Sequence, residues 1–322
     1  MKDLCGMGRG TMLKEIKPGI YYVIHEGGMD FEKPIEFPDE TGEVFLKEIS
    51  HDFHAKDVFR YESDTQASVS KKQTANGEVE YTEGMAQRFE RSAYTATISF
   101  RIDDDEMLFG LGQGEDGIYN LRDRTVYLYQ SNMRIAIPFV ISTGNYGILL
   151  DTESAVVYQC KDNVITFSID TCDEIKYYVI RGGNFDEIIG YLREVTGRAS
   201  MLPRWAFGYF QSKERYQSSE ELVDVTRKFR ELNIPLDCIV QDWLSWGDGL
   251  WGEKIPDQRR YHSVKDLTGQ LHGMNTKLML SIWPNMAKGS ENYKEMESLG
   301  YLLPNSNVYD AYHDGARETY WK

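Results

Sequence analysis

Hydrophobic and polar positions divide the chain at about residue 200. Up to Gly183, short runs rich in β-branched and aromatic residues are separated by turn signals. The runs are Ile20 to His25, Val44 to Ile49, Tyr94 to Ile102, Arg134 to Ser142, Tyr146 to Asp151, Val164 to Asp170 and Ile175 to Arg181. Thr143-Gly-Asn-Tyr-Gly and Asp103-Asp-Asp-Glu punctuate them, and many short strands without a long amphipathic helix between them predict an antiparallel β-sandwich. Around Asn184 the period changes. Phe185, Ile188, Ile189, Leu192 and Val195 recur at helical spacing, and Gly197 stands where such a helix ends.

After Pro203 strands alternate with helices. Ala206 to Gln211 reads as a buried strand. Ser218 with Glu221 is a capping-box signature for a helix carrying Leu222, Val225, Phe229 and Leu232 on one face, and Pro235 stops it. Leu236 to Asp242 is a second apolar strand, Ser263 with Asp266 opens a helix through Leu267 and Leu271, and Lys277 to Pro284 is a third strand. Strand spacings of about 30 to 40 residues are those of βα units, whose chemistry sits at the C-terminal strand ends. The predicted domains are residues 1–200 and 201–322.

A length of 322 residues is roughly twice a typical domain of about 150, which suits that division. Twenty-one Tyr and 14 Phe argue for a folded chain. Thirty-six Lys and Arg against 51 Asp and Glu leave a net charge of −15, which repels phosphate backbones and anionic lipid, so neither nucleic acid nor membrane is an expected partner. The apolar run from Ile135 to Ile141 falls far short of the ~20 residues that cross a bilayer. The N-terminal Met1-Lys-Asp-Leu-Cys-Gly-Met-Gly-Arg-Gly lacks the apolar stretch of a secretory signal, and a cytoplasmic location is expected. Cys5, Cys160, Cys172 and Cys238 show no C-x-x-C spacing; Cys160 and Cys172 could face each other across a hairpin, but reduced thiols are the expectation.

Three strand ends share one composition: Gln211-Ser-Lys-Glu-Arg-Tyr216, Gln241-Asp-Trp-Leu-Ser-Trp246 and Ser281-Ile-Trp-Pro284. Acids, amides, Arg and aromatics are the mixture that sugars need, because aromatic faces cover C–H surfaces while carboxylates and amides take hydroxyls. Trp243, Trp246 and Trp251 read either as packing under a loop or as such a platform. Asp242 ends an apolar run and precedes Trp243, where a buried strand opens into a barrel mouth; the other reading is a solvated loop Asp. Gly110-Leu-Gly-Gln-Gly-Glu-Asp-Gly117 has its third glycine one residue too early for a dinucleotide loop, and Glu115 and Asp116 would repel phosphate. His51 and His54 have metal-ligand spacing only on a helix, and His25, His262, His272 and His313 form no ligand cluster in sequence. No metal and no cofactor are expected. The G-x-S-x-G of serine hydrolases is absent.

These strand ends resemble glycoside hydrolase family 31. Pro203-Arg-Trp-Ala-Phe-Gly-Tyr-Phe-Gln-Ser-Lys-Glu-Arg-Tyr216, Ile234-Pro-Leu-Asp-Cys-Ile-Val-Gln-Asp-Trp243 and Met279-Leu-Ser-Ile-Trp-Pro284 look like the family's first three barrel strands. Phe109-Gly-Leu-Gly-Gln113, Gln130-Ser-Asn-Met-Arg-Ile-Ala-Ile-Pro-Phe139 and Gly144-Asn-Tyr-Gly-Ile-Leu149 are similar to its N-terminal sandwich. The resemblance implies a galactose-mutarotase-like β-sandwich followed by the start of a (β/α)8 TIM barrel, incomplete here: residues 203–322 are 120 residues, against ~250 for a whole barrel. It implies retaining hydrolysis of α-glucosides or α-xylosides by two carboxylates about 5 to 5.5 Å apart. In the resemblance both of those lie beyond Lys322, so the stretch alone is expected to be inactive.

By the same resemblance Asp242 holds sugar hydroxyls, Tyr216, Arg215, Trp243 and Trp283 line the subsite, and Gln130 and Asn132 sit on a sandwich loop reaching over the barrel mouth. That loop is shorter here and lacks an Asp found in many relatives, and Ile-Trp-Pro stands where many α-glucosidases carry an Asp before the Pro. The implied partner is a small oligosaccharide or glycoside, with homo-oligomer formation open. Two other classes remain: a non-catalytic carbohydrate-binding protein with a decayed barrel, and a sugar-epimerising sandwich enzyme, for which no convincing His and Glu pair is evident.

Overall fold

A computed structural model describes residues 10–74, 77–304 and 306–322, with the side chains of residues 61–86 excepted. The chain falls into two compact units, Met1–Tyr61 with Met85–Ala199, and Glu62–Gly84 with Ser200–Lys322.

The first unit contains β1 (Thr11–Lys17), β2 (Ile20–Glu26), β3 (Ile35–Pro38), β4 (Val44–Thr74), β5 (Gly77–Arg101), β6 (Leu108–Gln113), β7 (Thr125–Leu128), β8 (Ile135–Ser142), β9 (Tyr146–Leu150), β10 (Val156–Lys161), β11 (Val164–Cys172) and β12 (Glu174–Arg181), of which β4 and β5 run on into residues of the second. One sheet runs β1-β2-β12-β9-β8-β6, antiparallel throughout, and the other β3-β4-β5-β11-β10-β7. This is a β-sandwich. Period-2 burial explains it: Ile165, Phe167 and Ile169 of β11 point inward while their neighbours are less buried. Phe100 crosses between the sheets, its ring 5.3 Å from Tyr177 and 6.4 Å from Phe167. Each such fully buried side chain contributes about 1.5–3 kcal/mol.

Strands β4 and β5 run far beyond the expected Val44 to Ile49 and Tyr94 to Ile102. Positions 87–92 are exposed on the strand and charged in part, so no apolar alternation marks them. β1, β3, β6, β7 and β10, unpredicted, are 4 to 7 residues long. After β12, α1 (Phe185–Thr196) starts at Asn184, whose side chain accepts the Glu187 N–H, and ends at Gly197. Its Ile188 packs with Ile20, Phe139, Ile141 and Ile180.

The second unit carries a 3-10 turn (Arg204–Phe207), β13 (Phe210–Gln211), α2 (Ser219–Glu231), β14 (Cys238–Gln241), α3 (Val264–Gly273), β15 (Lys277–Leu280), α4 (Glu291–Ser298) and α5 (Asp314–Tyr320). β13, β14 and β15 are parallel neighbours in chain order, with α2 and α3 as crossovers. The expected strand from Ala206 shrinks to two residues because the chain turns at Gly208 and Tyr209, whose N–H donates to Asp237 at 3.2 Å. A Cβ on Gly208 would lie 1.9 Å from the same carboxylate. Leu232, expected on the apolar face of α2, is 56% exposed at its C-terminal cap. Leu222, Val223, Ile239, Leu267 and Leu271 form the core of this unit. Arg230 ties the end of α2 to the start of β15, donating to the carbonyls of Met274 and Leu236 at 2.8 and 2.6 Å and to the Thr276 hydroxyl at 2.7 Å.

Cys160 is paired with Ile165 in the β10/β11 register and Cys172 lies beside Tyr94, so the two do not face each other. Cys160, Cys172 and Cys238 are free thiols, and Cys5 lies outside the described residues. Among the described residues no helix is long and apolar enough to cross a membrane.

Candidate functional site

Backbone hydrogen bonds join the three parallel strand ends. The Trp243 N–H donates to Glu214 O at 2.9 Å and the Ser281 N–H to Gln241 O at 3.0 Å, which places the segments after β13, β14 and β15 side by side. Gln241, buried at the end of β14, donates its amide to Trp243 O at 3.0 Å and fixes the turn that presents Asp242 and Trp243.

Four tryptophans converge there. Trp243 lies 4.5 Å from Trp251 and 5.4 Å from Trp283 between ring centroids, and Trp251 lies 5.1 Å from Trp283, all near-perpendicular. Trp246, buried beneath, completes the cluster at 5.4 to 6.5 Å. Such edge-to-face contacts add about 0.5–1.5 kcal/mol each beyond burial, so the rings hold one another rigidly. Trp251, unlike the others, lies outside the three strand-end motifs.

The long connection after β14 is pinned by Asp257, whose N–H donates to Ser245 O at 2.8 Å and whose carboxylate meets Arg259 at 3.0 Å and Arg260 at 3.1 Å. Hydrogen bonds from Arg259 hold that carboxyl well below the usual carboxylate range. The loop also docks on the segment after β15: Ala287 N–H donates to Trp251 O at 2.7 Å. Gly252 has φ +74° with its Cβ position 2.1 Å from Asn285 O, so only glycine fits. Trp283 is fixed from the other side, its carbonyl accepting the Tyr320 hydroxyl at 2.7 Å; burial, then the neighbouring Tyr309, pushes that hydroxyl up to about 12.

Two kinds of unused polar capacity meet in this cluster. Among the described residues, the buried Nε1 donors of Trp251 and Trp283 find no acceptor and the buried Gln241 Oε1 finds no donor, and an unmet buried polar group costs about 1–3 kcal/mol. The half-buried Asp242 carboxylate and Arg215 guanidinium make no hydrogen bond or ion pair with the described residues. Aromatic walls with idle donors and a carboxylate suit a ligand with apolar faces and many hydroxyls.

The remaining expected site residues are placed differently. Tyr216 is 1% exposed, within the core beside Leu222 and Leu267, so its ring does not line an open surface. Gln130 spends its amide on its own turn, donating to Arg134 O at 2.6 Å and accepting the Ala136 N–H at 3.3 Å. Asn132 is exposed on the same turn, in the first unit.

The histidines require a correction. His25 of β2 and His51 of β4 both bond Glu48, at 3.1 and 2.9 Å, and Tyr177 donates to the same carboxylate. Packing of the two sheets face to face brings His25 of one against Glu48 and His51 of the other, a cluster that spacing along the chain did not show. It is also a His and Glu pair inside the sandwich, but His25 and Glu48 are 0% exposed and no substrate can reach them. The two imidazole rings lie 3.9 Å apart, tilted by 31°, and each brings a nitrogen within hydrogen-bond distance of the Glu48 carboxylate.

Comparison with known proteins matches residues 199–322 to the glycosyl hydrolases family 31 TIM-barrel domain. The chain is 37% identical over 241 residues to an α-xylosidase of Saccharolobus solfataricus, covering 72% of this chain and 33% of that protein. It is 27% identical over 252 residues to an α-glucosidase of the same organism, covering 67% and 35%. A crystal structure of a family 31 α-xylosidase from a soil metagenome, complexed with xylose, superimposes with a TM-score of 0.71 at 24% identity over 98% of this chain and 47% of that one; at that identity the likeness speaks for the fold. The chain thus spans about a third of the length of these two curated relatives. With the domain match, the sandwich and the strand-end motifs in agreement, the chain belongs to glycoside hydrolase family 31.

Proposed function

We propose that this chain provides the sandwich and the opening βα units of the catalytic barrel of a retaining α-glycosidase acting on α-xylosides or α-glucosides, with the domain border near residue 200. The parallel β13-α2-β14-α3-β15 order supports the barrel reading, since such barrels are built of parallel βα repeats with their chemistry at the C-terminal strand ends. The free thiols of Cys160, Cys172 and Cys238 suit a reducing compartment such as the cytoplasm.

One observation carries the site: an Asp242 carboxylate without a partner among the described residues, next in sequence to Trp243 of the cluster with Trp251 and Trp283. In this reading Asp242 accepts hydroxyls of the sugar ring in charge-assisted bonds. Bonds of that kind tighten as positive charge develops on the ring in the oxocarbenium-like transition state. Arg215 takes a further hydroxyl, and the indoles cover the C–H face. By the family resemblance, the nucleophile and the acid/base stand on barrel strands later than β15. Nothing in the cluster itself breaks the glycosidic bond; these residues bind and orient.

The test is titration of this chain with D-xylose and D-glucose, read by tryptophan fluorescence. Saturable quenching that Asp242→Ala abolishes is expected, and an unchanged titration in that variant rejects the site. In a longer form containing both reacting carboxylates, Asp242→Ala is expected to remove most turnover of a nitrophenyl α-xyloside or α-glucoside.

A further inference from the structure

We propose that the sandwich carries a second sugar-binding site, built from none of the residues of the tryptophan cluster, in the cleft between β6 and β7. It would take a single pyranose ring at the end of a glycan. β6 ends one sheet and β7 ends the other, so no further strand closes this side of the sandwich. A cavity of about 230 Å³ lies there. That is below the ~300–1,000 Å³ of drug-sized pockets and suits one small ring.

The floor is made by a distorted strand. Gly110, Leu111 and Gly112 have φ of +119°, +63° and +94° in succession, and the β6/β8 register slips there from Gly110↔Val140 to Gly112↔Ala136. A Cβ on Gly112 would sit 1.9 Å from Ile135 O. A left-handed leucine costs about 1–3 kcal/mol and is kept where the surroundings, often a binding site, over-determine it. Here the bulge turns Leu111 inward, 5% exposed, to pave the cleft with Leu121 and Leu128.

The walls carry the chemistry of hydroxyl recognition. Tyr127 lines the cleft, 57% exposed, with no aromatic contact among the described residues. Arg134 meets Asp116 at 3.2 Å. The Arg124 guanidinium and the Gln113 amide, both lining the cleft, make no hydrogen bond or ion pair with the described residues. An apolar floor, an aromatic wall, an unused planar fork able to span two adjacent hydroxyls and an amide able to donate and accept fit a neutral sugar.

The test uses the Asp242→Ala chain, so that binding at the tryptophan cluster does not contribute, titrated with D-xylose and D-glucose by ligand-observed magnetic resonance. Residual saturable binding is expected, weakened at least roughly tenfold, or about 1.4 kcal/mol, by adding Arg124→Ala or Tyr127→Ala. Both positions are exposed, and an unchanged melting temperature shows that each variant folds. No sugar binding in the Asp242→Ala chain, or binding indifferent to both added substitutions, overturns the site. Binding of glucuronate without either neutral sugar marks an anion site and overturns it equally.

Discussion

The N–H of Trp243 donates to the carbonyl of Glu214 at 2.9 Å, one residue from Arg215. The contact extends the β13/β14 pairing past the last ladder residues, Gln211 and Ile239. It carries the two strand ends forward together, so Arg215, Asp242 and Trp243 are displayed by backbone that is itself hydrogen-bonded. Rigid display of this kind is what an orienting site requires.

Trp251→Ala is expected to lower stability by about 2 kcal/mol, less than the 3–5 kcal/mol of a fully buried tryptophan because the ring is half-buried. It should also loosen Trp243 and Trp283, which both lean on it. Urea denaturation gives the first quantity and the fluorescence emission maximum the second; an unshifted maximum with full stability would show that the cluster does not cohere.

Arg230→Ala removes donors to Met274 O, Leu236 O and Thr276 Oγ1 at once. Bonds to a charged donor contribute about 1.5–3 kcal/mol, and several share this guanidinium, so a loss of about 3 kcal/mol is expected. Arg230→Lys should recover only part of it, since an ammonium cannot span the planar fork. Equal stabilities for the two variants would contradict this account.

Gly252→Ala places a methyl 2.1 Å from Asn285 O at a φ of +74°. The loop has to move, and Trp251 moves with it. We expect about 2 kcal/mol of destabilisation together with weaker sugar-induced fluorescence quenching, while Gly249→Ala, with no neighbour within 4 Å of its Cβ position, bears only the backbone strain of its own positive φ. Similar quenching in the two variants would argue against coupling of the loop to the cluster.

Burial alone would raise the carboxyl of Glu48, but hydrogen bonds from His25 and His51, the His25 charge and the Tyr177 hydroxyl outweigh it and hold Glu48 below the ordinary carboxylate value. A carboxyl depressed in the folded state lends stability that is complete above its unfolded value and lost as pH falls through the folded one. Acid unfolding of the sandwich should therefore steepen below about pH 4.3, the ordinary Glu value, and Glu48→Gln should flatten that limb while lowering stability at pH 7. An acid limb unchanged in Glu48→Gln would show that this carboxylate does not set it.

Local chemistry made strands β2, β8, β9, β11 and β12 and the capped helices α1, α2 and α3 readable along the chain, because a run of β-branched and aromatic residues between turns or a helix start carries its own pattern of side chains. Ser218 and Ser263 do cap α2 and α3 as read. The strand-end motifs were equally readable, since buried apolar runs terminate in polar and aromatic residues wherever a strand leaves the core. Relations between distant segments left no such mark. The His25–Glu48–His51 contact depends on the two sheets packing against each other, with β2 in one and β4 in the other. The burial of Tyr216 depends on α2 and α3 closing over it. The joining of Trp251 to Trp243 and Trp283 depends on Gly252 letting a loop lie against the segment after β15. Side-chain periodicity reports which face of an element is buried, whereas the identity of what lies against that face is settled only when the elements pack.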